Sequence, residues 1–198
     1  MSPTTHMRRE ALQSPQVVAD LVQRDQDTLK ALAADLQQHA PAHIITIARG
    51  SSDHAAAYFS YLCMLRLGRF VTSLPPSLLS LHEAHMQRHG TLALAFSQSG
   101  RSPDLVKATQ YFSVAPSRSV ALVNDAASPL AQQAHTVLPL HAGQETSVAA
   151  TKSFIAQLAW SARLVAAWHA DSALQAALHQ LPASLEVAAQ QRSEEHTS

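Results

Sequence analysis

The stretch Thr91–Asp104, read as TLALAFSQSGRSPD, narrows the possible folds most. It opens with a short apolar run, Leu92–Phe96, of the kind found in strands buried on both faces of a parallel sheet. It then breaks into Ser97, Gln98, Ser99 and Gly100, and Ser102-Pro103 follows. A hydroxyl residue before a proline marks a helix start, because the hydroxyl caps free amides and the fixed φ of proline suits the first turn. Strand, hydroxyl-rich turn and helix start in that order gather side-chain hydroxyls and free N–H groups at the positive end of a helix dipole. Such a point favours an anion, and a phosphate is the natural guest.

The same rhythm recurs along the chain. His43–Ala48 (HIITIA) reads as a first strand, followed by the turn Arg49–Asp53 and a helix over His54–Leu67 that Gly68 ends as a left-handed cap. Phe70–Ser73 reads as a short second strand, and Ser77–His89 as an irregular helix after Pro75 and Pro76. Thr91 begins the third strand, with its helix over Pro103–Ser113. Arg118–Val123 is a fourth strand, Ser128-Pro129 starts a short helix, and Thr136–Leu140 is a fifth strand. A long apolar helix is expected over Val148–Ala170, and an amphipathic one after Asp171. Residues 1–40 read as mostly helical, with Val17, Val18, Leu21, Val22, Leu29, Leu32 and Leu36 at spacings of three and four.

Strands alternating with helices imply right-handed crossovers and helices on both faces of the sheet. The expected fold is therefore α/β: a three-layer αβα sandwich with a five-stranded parallel sheet, flavodoxin-like, flanked by N- and C-terminal helices. Residues 1–40 form the N-terminal helical segment, 41–170 the α/β domain, and 171–191 a C-terminal helix. In open α/β sheets ligands bind at the carboxyl ends of strands, where strand order switches. That rule brings together the turns at Ser51–Ser52, Ser97–Ser102 and Glu145–Thr151.

The charge balance excludes other classes. Lys+Arg and Asp+Glu number 14 each, so nothing favours nucleic acid or an anionic membrane surface. No apolar run is long enough to span a membrane, and the charged first thirty residues are no secretory signal, so the cytoplasm is the expected compartment. The single cysteine, Cys63, sits in an apolar helical context and reads as a packing residue. His82, Glu83, His85 and His89 have the order H-E-x-H, without the four-residue histidine spacing of zinc peptidases, and no metal or other cofactor is expected. Trp160 and Trp168 read as core or interface anchors.

Three motifs stand in order at strand ends: ARGSSDHAA (Ala48–Ala56), SQSGRSPD (Ser97–Asp104) and ETSVAATKSF (Glu145–Phe154). Together they resemble the sugar isomerase (SIS) domain. The resemblance covers about residues 8–190 and is closest to the double-domain group. That group includes the isomerase half of glucosamine-6-phosphate synthase and the glucosamine-6-phosphate deaminases of this fold. It implies that Ser97, Gln98, Ser99 and Ser102 hold a sugar phosphate. Ser52 would assist, Ser51 would lie near the sugar, and Val148 and Ala149 would approach it through backbone and methyl groups. The synthase group tends to carry a serine where this chain has Ala150, which tilts the resemblance toward a deaminase.

The family reaction moves a proton between C1 and C2 of an open-chain sugar phosphate, with gain or loss of the amine, and needs a general base. The resemblance places that base, usually a glutamate, in a second SIS domain or a partner subunit. This chain has no matching second half. Within it, Glu145 is a candidate base, with a structural carboxylate as the alternative. Lys152 is a candidate phosphate or imine lysine, with a solvated surface lysine as the favoured alternative.

The implied function is that of a glucosamine 6-phosphate deaminase or aminoisomerase yielding fructose 6-phosphate and ammonia, present as an N-terminal half. A non-catalytic phosphosugar sensor and a fructosamine-phosphate deglycase are the alternatives. A homodimer is expected, because the apolar terminal helices exceed what one sheet can cover. The last residues, Arg192–Ser198, break the apolar period and read as a non-native tail.

Overall fold

Leucine and alanine alternate along TLALAF, so a strand made from it presents bulk to one face and small methyls to the other. A computed structural model, which describes residues 5–147 and 149–190, places that strand at the centre of a sheet. The strands are β1 (His43–Ile47), β2 (Val71–Ser73), β3 (Thr91–Ser97), β4 (Arg118–Val123) and β5 (Thr136–Pro139). Their order is β2-β1-β3-β4-β5, and every pairing is parallel. The first three helices are α1 (His6–Ala11), α2 (Ser14–Gln23) and α3 (Gln26–Gln38). Next come α4 (Ser51–Leu62), α5 (Ser77–Ser80), α6 (Pro103–Phe112) and α7 (Pro129–Gln133), then α8 (Lys152–Trp168) and α9 (Ser172–Gln190). This is the expected α/β sandwich with a five-stranded parallel sheet.

The pleat divides the core in two. Leu92, Leu94 and Phe96 join Ile44, Val120, Leu122 and Leu138 in one cluster, under α4 and α8. Ala93 and Ala95 join Ile47, Ala121 and Val123 in the other, where the small side chains let α6 and α7 lie close through Leu105, Phe112 and Leu130. Phe59 of α4 meets Phe96 with ring centroids 6.0 Å apart.

The N-terminal segment is mostly helical as expected, in three helices, and the break at Asp25 has a left-handed backbone (φ 54°). The reading of the elements differs from the structure at three places. The segment Ser77–His89 is helical only over Ser77–Ser80. Helix α4 begins at Ser51, three residues before the expected start, and ends in a wider π-type turn over Cys63–Leu67. Helix α8 begins at Lys152 and not at Val148, so Ala149 and Ala150 belong to the preceding loop; Val148 itself lies outside the described residues, as does the tail Arg192–Ser198.

Helix α8 is apolar nearly all round because α2, α3, α4 and α9 surround it. The two ends of the chain thus meet, with α2 packed on α9. Trp160 and Trp168 are both in this core, and the Trp160 indole donates to the Pro139 carbonyl at 2.7 Å. Cys63 is buried as expected, and burial pushes its thiol up to about 12.

The turn after β3 is tied down by its neighbours. Asn124 N–H donates to the Gln98 carbonyl at 3.2 Å, and Leu130 N–H to the Gly100 carbonyl at 3.1 Å. Gly100 has φ +63°, and a Cβ there would stand 2.1 Å from Ser128 Oγ. Ser128 cannot retreat freely, since its hydroxyl caps α7 through Ala131 N–H. Gly100→Ala combines left-handed strain with a clash, and should cost about 2 kcal/mol or more of folding stability. Urea denaturation of both proteins checks this.

Candidate functional site

The chain crosses from β2 back over β1 to reach β3, so the switch in strand order lies between β1 and β3. Beyond their carboxyl ends is a cavity of about 370 Å³. Ser51 and Ser52 enter it from the start of α4, and Ser97, Gln98, Ser99 and Ser102 from the turn leading into α6. Arg49 and Ala150 add to the lining. Six of the eight residues expected to bind substrate therefore share one cavity. Ala149 is exposed in the neighbouring loop and does not line it.

The hydroxyls are not equivalent. Ser97 Oγ accepts from Gly100 N–H at 2.9 Å, which fixes the turn and leaves its own proton to donate. Ser99 Oγ accepts from Arg101 N–H at 3.3 Å. Ser102 occupies the N-cap of α6 with an extended backbone, yet its side chain makes no capping bond. The expected cap is present in position and absent in bonding, so its hydroxyl and the first amides of α6 remain available. Ser52 does not cap α4 either; its Oγ accepts from the Gln157 amide at 3.1 Å.

Gln157 was not foreseen. It is 1% exposed, in the second turn of α8, and its bond orients the Ser52 hydroxyl so that the proton points away from α8. Its only sequence signal is an amide inside an otherwise apolar helix. In the sequence Arg49 reads only as part of a turn. It is the one cation lining this cavity among the described residues, and it pairs with Asp104 of α6 at 3.2 Å.

The two candidate catalytic residues have structural partners. Glu145 Oε1 accepts from Thr151 N–H (2.9 Å), Thr151 Oγ1 (3.0 Å) and Ser153 N–H (3.3 Å), and Oε2 from the Ser153 hydroxyl. The carboxylate thus caps α8 from six residues upstream, where a negative charge meets the positive end of the dipole. Lys152 is not a solvated surface lysine: it is 5% exposed, and its Nζ donates to Gln13 Oε1 at 2.7 Å. The reading of a surface lysine fails because Gln13, in the turn between α1 and α2, meets the start of α8, a contact between residues far apart in sequence.

A second carboxylate, one with no signal in the sequence, holds the same loop. Glu10 Oε1 accepts from Thr146 N–H (2.6 Å) and Thr146 Oγ1 (3.0 Å), and Oε2 from Ser147 N–H (3.2 Å). From the other side, Asn124 Nδ2 donates to the Gly143 carbonyl at 2.6 Å, and its Oδ1 accepts from Ala142 N–H at 2.9 Å. The loop is thus clasped from both flanks. Among the described residues no group of three or more His, Cys, Asp or Glu is placed to hold a metal. Nor is any helix there long and apolar enough to cross a membrane.

A doubly wound α/β domain with a hydroxyl-lined cavity at its switch point belongs to the anion-binding class of such folds. The SIS domain family matches residues 38–167, and the chain belongs to that family. It is 34% identical over 155 residues to the glutamine–fructose-6-phosphate aminotransferase (isomerizing) of Sulfolobus acidocaldarius, across 77% of this chain and 25% of that one. A candidate phosphosugar isomerase from Silicibacter pomeroyi DSS-3 superposes with TM-score 0.89 at 43% identity, over 93% of this chain and 56% of that one. The C-terminal domain of glucosamine-fructose-6-phosphate aminotransferase from Francisella tularensis has the same fold, with TM-score 0.71 at 18% identity, over 95% and 54%. The chain thus spans about a quarter of the first relative and little more than half of the two solved chains.

Hydrogen bonding from Ser147 and Thr146 lowers the Glu10 carboxyl from the ordinary 4.5 to about 2. A depressed carboxyl stabilises the fold fully above pH 4.5 and loses that contribution as pH falls toward 2. Glu10→Gln should therefore melt lower than the native chain at neutral pH. The gap should close between pH 4.5 and 2, as thermal melts across that window would record.

Proposed function

We propose that this chain is the phosphosugar-binding domain of an aldose–ketose aminoisomerase or deaminase acting on glucosamine 6-phosphate. The observation that carries the reading is the single cavity lined by Ser51, Ser52, Ser97, Gln98, Ser99 and Ser102. A phosphate there meets hydroxyl protons from Ser52, Ser97 and Ser102 and the unpaired amides that begin α6, with the Ser52 and Ser97 hydroxyls already held by bonds of their own. Arg49 supplies a positive charge at the rim. Val148 and Ala149 remain proposed contacts for the sugar.

The chemistry requires a base near C1 and C2 of the opened sugar. Among the described residues lining the cavity none is a carboxylate or an imidazole. Glu145 is engaged with the start of α8, and Lys152 with Gln13. We therefore assign the base to a second SIS domain or to a partner subunit. The three relatives named above are each longer than this chain, which supports that assignment. Homodimer formation is proposed on the same footing: Tyr61 and Leu65 stand one turn apart and exposed on α4 and its extension, with Phe70 88% exposed beyond them. The proposed setting is cytoplasmic.

The same lack of a base in the cavity favours a second reading, a phosphosugar sensor that binds without turnover. A fructosamine-phosphate deglycase would use the same phosphate site with a different substituent on the sugar. Release of ammonia and fructose 6-phosphate from glucosamine 6-phosphate by the protein with its second domain distinguishes the deaminase from both.

Binding of glucosamine 6-phosphate and of glucosamine, measured by calorimetry, tests the site itself. The phosphorylated sugar should bind and the free sugar should not. Replacing Ser97, Ser99 and Ser102 together by alanine should weaken the phosphorylated ligand about a hundredfold or more in a folded product. Unchanged affinity would overturn the assignment.

A further inference from the structure

On the side of the sheet covered by α8, a buried charge stands apart from the serine cavity. Arg163 is 5% exposed. Its guanidinium donates to the Leu21 carbonyl at 2.6 Å and to the Arg24 carbonyl, closing the last turn of α2, and lies 4.5 Å over the Trp160 ring. These partners are dipoles and a π face, not a counter-ion. Among the described residues no carboxylate comes within ion-pair distance of it. Burial lowers the group to about 10, against an opposing pull from Asp25, whose own carboxylate is bonded to His141 at 2.6 Å. A buried cation without a partnered anion is costly to hold. The two carbonyls also use only part of the guanidinium's fan of donors.

A cavity of about 190 Å³ opens beside this arginine, between α2, α3, α8 and α9. Its apolar lining is Val22, Leu29, Ala167 and Leu178. Its charged or titratable lining is Arg163 with Lys30 and His179, and Gln26 and Gln175 complete it. No carboxylate is among them, so the wall is apolar and every formal charge on it is positive.

We propose that this cavity is a second ligand site for a small carboxylic acid with a short apolar tail. The carboxylate supplies the counter-ion that Arg163 lacks, and the tail lies against Val22, Leu29 and Leu178. One buried cation balances a monoanion. A phosphate dianion would be left undercompensated, with its oxygens against an apolar wall. The site stands independently of the phosphosugar reading, since the two cavities share no residue.

The test titrates the full chain with sodium hexanoate, 1-hexanol and sodium phosphate, followed by calorimetry and thermal shift. Hexanoate should bind saturably and raise the melting temperature; hexanol and phosphate should do neither. Leu178→Trp fills the cavity, and Lys30→Glu places an acid at its edge. Each should weaken hexanoate at least tenfold while leaving glucosamine 6-phosphate binding as it was. Neither variant touches the bonds between Arg163 and α2, and circular dichroism verifies the fold. If Leu178→Trp does not fold, Lys30→Glu decides. No saturable hexanoate binding to the folded native chain overturns the proposal. So does equal binding of hexanol or phosphate, or native-like hexanoate affinity in the folded variants.

Discussion

The pairing of β3 with a parallel strand on each side is the constraint from which the rest follows. A strand paired on both edges and buried on both faces leaves its backbone polar groups no partner other than its neighbours. Parallel neighbours then need crossovers, and crossovers place every strand's carboxyl end along the same edge of the sheet. The serines after β1 and β3 meet because of this. They are about forty-five residues apart in the chain and side by side only in the sheet, at the usual spacing of about 5 Å between strands.

The loops at that edge are held by polar groups whose work is structural. Glu145 caps α8, Glu10 grips Thr146 and Ser147, and Asn124 bridges to Ala142 and Gly143. Each satisfies backbone groups that an irregular segment would otherwise leave unpaired. The serine turn is held mainly through its backbone, by bonds to Asn124 and Leu130, by the Gly100 amide on Ser97 Oγ and by the close approach of Gly100 to Ser128. With the turn anchored through its backbone, several of its hydroxyls keep a donor free for a ligand. That division between anchoring and binding suits recognition of a phosphate, whose oxygens gain most from donors that need not reorganise.

Helix α8 links the two ends of the molecule. Its first turn receives Glu145 and Lys152's bond to Gln13, its second turn supplies Gln157 to Ser52, and Arg163 further along closes α2. Being apolar nearly all round, it can sit only inside a second layer of helices, and α2, α3 and α9 form that layer. The terminal helices are therefore part of the core around the site, and α1 reaches the loop through Glu10.

Local pattern alone determined the class of the fold, the five strands and the serine cluster. The Leu-Ala alternation, the Ser-Pro helix starts and the hydroxyl-rich turns each report a constraint acting within a few residues. Tertiary structure decided the rest, through contacts between residues far apart in the chain. Lys152 is buried because Gln13 reaches it, and Ser52 is oriented because Gln157 lies across from it. Glu10 and Arg163 likewise find their partners only once the helices have packed around α8; periodicity shows that those helices bury a face, not which polar groups the packing brings together.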